Sequence, residues 1–345
     1  MDVQRDRMLQ SIRSLRQDIA YAVATRGGVY WPLAGRTLER LEQLIVRPVR
    51  LNIFGEANTG KSSLVNFLLR QTVIPAGDFA SQGTFLRICH AKETVLSSIA
   101  ADGTRNRLTS KALSRISEPE ILLPSDGEAL NGKLTHDGRV LELGVPHEFL
   151  RRVEIIEARN YPEVRSSRAL AQVFRPADMT IWCTLATQAW KETERTVWSH
   201  IPLAQRKNAF LFVTYRDAIR NRKDEAKIIA RLKNDGEHAF ADVLMVSVRD
   251  AHEAKLARES EQDAAMAERL HKRSNAEAIE EAVSSAVTFA QLQKLRKSAS
   301  VLKRVASIVR KADANHFMGP GQHIAQKLER VAGETLLIVD RAETR

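Results

Sequence analysis

Residues 55–62 read Gly55-Glu-Ala-Asn-Thr-Gly-Lys-Ser62, between the apolar run Val49–Phe54 and a helix-like stretch at 63–70. Glycines at both ends let the backbone wrap closely enough for successive N–H groups to converge on phosphate oxygens. In this pattern Gly55, Asn58, Thr59, Gly60 and Ser63 line the cradle, and Lys61 carries charge to the outer phosphates. Ser62 presents its hydroxyl to Mg²⁺ at the positive end of the helix that follows. A strand before and a helix after are the context the motif requires, so the stretch implies an α/β domain that holds a nucleotide by its phosphates.

Outward from the loop, short β-rich runs alternate with helical ones. The runs at 49–54, 85–89, 153–156, 179–185, 209–215 and 243–246 are mostly too apolar for half-exposed strands. They suit a mostly parallel central sheet covered by helices on both faces. Before residue 48 the pattern is helical: Met8, Ile12, Leu15, Ile19 and Val23 recur at spacings of three and four. Leu38, Leu41 and Ile45 resume it after a break at Gly27-Gly28 and Pro32. Beyond 250 the chain turns rich in Ala, Glu, Lys and Arg, with few turn signals before Gly319-Pro320-Gly321. The expected organisation is therefore N-terminal helices at 1–47, a nucleotide-binding α/β domain at 48–250, and a helical module at 251–345.

The chain has 345 residues, 43% of them hydrophobic and 6% aromatic, enough for one α/β core and a helical module. No apolar stretch approaches the roughly 20 residues of a membrane span, and the first residues lack the apolar core of a signal peptide. A soluble, cytoplasmic protein is expected, with peripheral attachment to the inner face of a membrane as an option. The two cysteines, Cys89 and Cys183, lie in apolar runs without metal-ligand spacing and are expected to be reduced, buried thiols. The net charge of +11 favours polyanionic partners, nucleic acid or an anionic membrane surface among them.

Four further segments follow the phosphate loop in order. Thr84, about 23 residues beyond Lys61, stands where a switch threonine would close over the outer phosphate and Mg²⁺. Next comes Leu141-Glu-Leu-Gly-Val-Pro146, leading into Val153-Glu-Ile-Ile-Glu157-Ala-Arg-Asn160. Then follows Phe212-Val-Thr214-Tyr215-Arg216-Asp217, and last Met245-Val-Ser247-Val248-Arg249. A carboxylate at Asp217 can accept from both the ring N–H and the exocyclic amine of guanine, a donor pair that adenine lacks. Guanine is the base so favoured.

Over roughly residues 48–250 these segments resemble the dynamin superfamily of large GTPases, particularly its bacterial members. The resemblance implies a phosphate-loop GTPase domain binding GTP or GDP with Mg²⁺, the metal held by Ser62 and Thr84 and, through a water, by the residue at 157. Glu157 and Asn160 stand where the family has aspartate and glycine. Thr214 and Asp217 match the family's base-recognition element, with Tyr215 in place of its lysine, and Ser247 and Val248 correspond to its last nucleotide loop. Dynamin-type GTPase domains pair face to face, with polar phosphate-loop residues placing the attacking water; here those positions are Ala57 and Asn58. The implied catalytic group is Lys61, Thr84 and Asn58, and slow hydrolysis follows from the departures at 57, 157 and 160. The flanking helices correspond to a neck, too short for the stalk and lipid-binding tip of full-sized members.

Residues 291–312 hold Lys294, Arg296, Lys297, Lys303, Arg304, Arg310 and Lys311 without an acid, while Leu292, Leu295, Leu302, Val305 and Val309 form an apolar stripe. Such a helix suits an anionic membrane surface, or equally a neck helix with its stripe inward. Three functions compete at this level. The first is a dynamin-like GTPase coupling nucleotide state to pairing of its GTPase domains, as homodimer or heterodimer, and to helix movement. The second is a non-hydrolysing scaffold regulating a partner GTPase. The third is an RNA- or ribosome-associated GTPase, disfavoured because no Gly-x-x-Gly loop or aromatic basic strand follows the domain.

Overall fold

The computed structural model describes residues 2–26, 29–74, 85–99, 104–108, 140–158, 177–234, 240–259, 263–312 and 320–343. Thr84 and Asn160, expected at the outer phosphate, lie outside the described residues. The chain divides into two compact units, Val49–Val287 and the pair of segments Met1–Pro48 with Thr288–Arg345. Residues 251–287, grouped by composition with the C-terminal helices, thus fall with the α/β unit.

Among the described residues the α/β unit holds nine strands in one sheet: β1 (Val49–Phe54), β2 (Phe85–His90), β3 (Val95–Ile99), β4 (Arg105–Arg107), β5 (Val140–Val145), β6 (Val153–Ala158), β7 (Met179–Leu185), β8 (Ala209–Thr214) and β9 (Asp242–Met245). Their order is β4-β3-β5-β2-β6-β1-β7-β8-β9. From β6 to β9 neighbouring strands run parallel, whereas β2 lies antiparallel to β6 and parallel to β5, and β3 and β4 extend the edge antiparallel. Strands β6 and β7 are buried almost throughout, as expected for central strands of a sheet covered on both faces; β7 is mostly apolar, whereas β6 buries two glutamates.

Charged residues within these strands are paired. Glu154 on β6 takes Arg50 from β1 and Arg87 from β2, and Glu142 on β5 takes Arg87 and Arg105. Beneath β7 the indoles of Trp182, Trp190 and Trp198 meet edge to face with centroids 5.6 to 5.9 Å apart, and Phe240 stacks on Trp198 at 4.4 Å.

The sheet sets where a ligand can go. Strand β1 is flanked by β6 and β7; the chain leaving β1 goes on to β2 on one side and the chain leaving β6 crosses to β7 on the other, so a crevice opens at the carboxyl ends of these strands. The phosphate loop begins at that end, and β6 and β8 bring Glu157 and Thr214 to the same edge.

The second unit contains α1 (Asp2–Arg26), α2 (Tyr30–Val46), the 288–312 part of the helix Ala276–Ala312, and the helix Pro320–Glu343. Met8, Ile12, Leu15, Ile19, Leu38, Leu41 and Ile45 all enter its core, but the next inward position on α1 is Ala22, and Val23 is 37% exposed. Pro32 does not break the pattern; it sits in the first turn of α2, where its missing N–H costs no helical bond. Leu292, Leu295, Leu302, Val305 and Val309 are buried in the same core. The apolar stripe of 291–312 therefore faces protein. Part of the basic back is also engaged: the Lys294 ammonium donates to the Arg47 and Pro48 carbonyls, Arg296 pairs with Asp340 and Glu343, and Arg310 with Glu329. An anionic surface would meet the outward cations alone. No helix among the described residues is long and apolar enough to cross a membrane.

Candidate functional site

The loop from Gly55 to Ser62 is built around two glycines with positive φ. At Gly55, φ is 142°, and a Cβ there would lie 2.2 Å from the Cys183 carbonyl oxygen and 2.7 Å from Thr59 Oγ1. Neither neighbour can yield, since one is backbone of β7 and the other a buried hydroxyl bonded to the Glu56 carbonyl at 2.9 Å. Gly55→Ala should therefore destabilise the protein by about 2 kcal/mol through overpacking and backbone strain. An unchanged urea midpoint would contradict the tight approach of loop and strand.

Gly60, with φ of 77°, caps the helix Lys61–Leu68, which has no side-chain cap and no acid in its first turn. Its leading N–H groups are thus left for an anion rather than for a Ser or Asp side chain. Asn58 adopts φ of 62°, a left-handed conformation that asparagine tolerates better than most residues, and both Ala57 and Asn58 are exposed. Lys61 is buried, its ammonium donating to the Gly55 carbonyl at 2.9 Å and the Glu56 carbonyl at 2.5 Å.

The Ser62 hydroxyl donates to the Glu157 carboxylate at 2.5 Å. Glu157 lies opposite Ile53 in the β1–β6 register and is itself buried. A hydroxyl and a carboxylate side by side are hard oxygen donors, which suits Mg²⁺.

Thr214, Tyr215 and Asp217 follow at the carboxyl end of β8, two strands from β1. Buried Thr214 has its hydroxyl 2.9 Å from the Thr59 carbonyl and 3.0 Å from that of Thr184, so it ties the phosphate loop to β7 and β8. Tyr215 follows in the left-handed region with φ of 58°, and its ring edge comes 3.7 Å from where a Gly60 Cβ would be. The Ser247 hydroxyl donates to Asp217 Oδ1 at 2.8 Å and accepts the Asp250 N–H at 3.1 Å. Val248 begins the helix Val248–Glu259. Gly60, Ser63, Thr214, Tyr215, Asp217 and Val248 line one cleft of about 720 Å³. Six positions picked from separate stretches of sequence thus share a wall.

Other residues hold this end in place and carry no motif. Asp250 is buried, and Arg273 grips both its oxygens at 2.6 Å; that contact raises the Arg273 pKa. Arg216 donates to the Arg273 carbonyl at 2.8 Å and pairs with Glu225 at 2.8 Å, while Asn275 donates to the Met245 carbonyl at 3.1 Å. An acid in the first helical turn is the only sequence signal for Asp250, and it does not reveal its partner. Both thiols are free: Cys183 is fully buried, and burial pushes its pKa up to about 12, whereas Cys89 is half-buried, short of the full burial expected.

Neither the protein-family models nor the curated proteins include a match to the chain. Solved structures do match. One is a member of an oligomerised bacterial dynamin pair described as sensing and tethering membranes over long range, with a TM-score of 0.52 and 12% identity, covering 81% of this chain and 42% of that one. Another is LeoA, a bacterial dynamin GTPase from ETEC, with a TM-score of 0.50 and 12% identity, covering 91% of this chain and 49% of LeoA. The chain spans less than half the length of either. Its fold is that of bacterial dynamin-like GTPases.

Proposed function

We propose that the chain binds GTP and GDP in the cleft that joins the phosphate loop to Asp217. The observation that carries this reading is the Ser247–Asp217 hydrogen bond beside Gly60. It holds one carboxylate oxygen in place, so the carboxylate meets the N1–H and 2-amino edge of guanine with little reorganisation. Tyr215 brings an aromatic ring near Gly60 where an alkyl stem is otherwise expected. Gly55, Asn58, Thr59, Gly60 and Ser63 frame the phosphates, and Lys61 reaches their outer oxygens. Ser62 and, through a water, Glu157 are the residues that would hold Mg²⁺, which supplies charge neutralisation at the phosphates when bound.

Hydrolysis is proposed to be slow. The exposed loop position 57 offers only a methyl group, which leaves Asn58 to act on an attacking water, across a face-to-face dimer of GTPase domains. Exposure of Ala57 and Asn58 supports that pairing. The same methyl group supports the second reading, a non-hydrolysing scaffold that regulates a competent partner. Coupling of nucleotide state to helix movement at a membrane is supported by the match to a membrane-tethering dynamin pair.

Titration of the purified protein with GTP, GDP and ATP in Mg²⁺, following phosphate release and mass together, tests these readings. Guanine-selective binding with slow turnover and a GTP-dependent rise in mass is expected. Binding without turnover selects the scaffold, and equal affinity for ATP removes the guanine assignment.

A further inference from the structure

The phosphate loop is grasped from outside by a segment that no motif includes. Glu56, the first variable residue of the loop, accepts the Lys191 ammonium at 2.9 Å on one carboxylate oxygen and the Thr193 hydroxyl at 2.6 Å on the other. The backbone carbonyl of the same residue accepts the Lys61 ammonium. Burial draws the Glu56 carboxyl upward, but the bonds from Thr193 and Lys191 and the charges of Lys191 and Lys61 outweigh it and hold the group below the usual carboxylate range. The hydrogen bond to Glu56 in turn raises Lys191.

The grasping segment is itself fixed. Trp190 turns the chain with φ of 65°, and buried Glu194 accepts the Lys191 N–H at 2.9 Å, the Thr184 hydroxyl at 2.8 Å and the Trp182 indole N–H at 3.0 Å. Lys191 and Thr193 therefore leave a rigid base at the end of β7.

A carboxylate in a loop shaped for polyphosphate is an electrostatic liability, because the Debye length of about 8–10 Å leaves its repulsion of phosphate unscreened at this range. A fixed ammonium on that carboxylate cancels the repulsion, and its contact with Glu56 restrains the peptide whose carbonyl competes for Lys61. We propose that Lys191 and Thr193 form a clasp that neutralises and pins Glu56 and so sets how tightly the loop holds a polyphosphate. Glu194 is the positioning residue behind it. The inference rests on the nucleotide reading of the loop, and it adds a determinant of affinity that touches no nucleotide.

The test uses the full chain with Lys191→Met, Lys191→Arg, Glu56→Gln and the double variant Glu56→Gln/Lys191→Met, each titrated with GMP, GDP and GTP. Lys191→Met is expected to weaken GDP and GTP about tenfold and GMP less, because the uncovered charge acts on each added phosphate. The double variant should return to within about threefold of the parent, and Lys191→Arg should bind like it. Equal losses for all three nucleotides, no loss at all, or a double variant as weak as Lys191→Met would each overturn the clasp. Hydrogen exchange of residues 55–61 without nucleotide supplies an independent reading: faster exchange in both Lys191→Met and Glu56→Gln supports pinning, and parent-like exchange in both refutes it. A parent protein that binds no guanine nucleotide defeats the functional proposal, while the exchange result still decides the clasp.

Discussion

Replacing Lys61 by alanine is expected to weaken guanine nucleotide binding about a thousandfold, since truncating one partner of a desolvated charge pair costs several kcal/mol. The lysine heads the helix Lys61–Leu68, and its buried ammonium rests on the Gly55 and Glu56 carbonyls. It is thus already inside the loop, with no exposed arm to be folded in on binding. Alanine is a good helix former, so the helix and sheet should persist. Circular dichroism and the urea midpoint of Lys61→Ala should match the parent closely while calorimetry with GDP loses its signal. Parent-like affinity in that variant would remove the loop from the site.

Asp217→Asn is expected to change the preferred base. In the proposed site a carboxylate would accept two donors from guanine, whereas an amide presents one acceptor and one donor. Xanthine, with a carbonyl in place of the 2-amino group, matches the amide; guanine then sets one N–H against another. The ratio of guanine to xanthine nucleotide affinity should fall about a thousandfold, the scale at which a site built around a hydrogen bond rejects a mismatched group. Ser247 sharpens the comparison. Its hydroxyl, bonded to Asp217 Oδ1 at 2.8 Å and to the Asp250 N–H at 3.1 Å, can donate equally well to the amide oxygen, which turns the new N–H₂ toward the base. Competition titrations with the two nucleoside diphosphates read the ratio directly, and an unaltered ratio would move base recognition elsewhere.

Much of the molecule was legible because its signals are local. The mostly apolar run Val49–Phe54, two glycines and a lysine specify strand, loop and helix without help from distant residues, and β7 and β8 announce themselves by runs in which threonine is the one polar residue type. The edge strands β3 and β4 gave no such signal. Arg105, Asn106 and Arg107 are all exposed, and a charged sheet edge discourages pairing with another chain rather than advertising a strand. On α1, Ala22 and Val23 both satisfy the spacing from Ile19; choosing between them needs the bundle partner, which admits the smaller side chain. The clasp was illegible for a related reason. Glu56 and Lys191 are 135 residues apart, and neither belongs to a recurring pattern. The same holds for Asp250 and Arg273, which meet only after two helices have packed. The boundary drawn at 250 followed a change in composition, whereas the grouping at Val287 follows packing.

The carbonyl that excludes a side chain at Gly55 belongs to Cys183, whose thiol has a pKa of about 12. Burial so strongly disfavours its thiolate that maleimides and oxidants will pass it by. Burial also raises the Cys89 thiol, but that residue is only half-buried, so of the two cysteines it is the one a fluorophore can reach, on a strand of the same sheet.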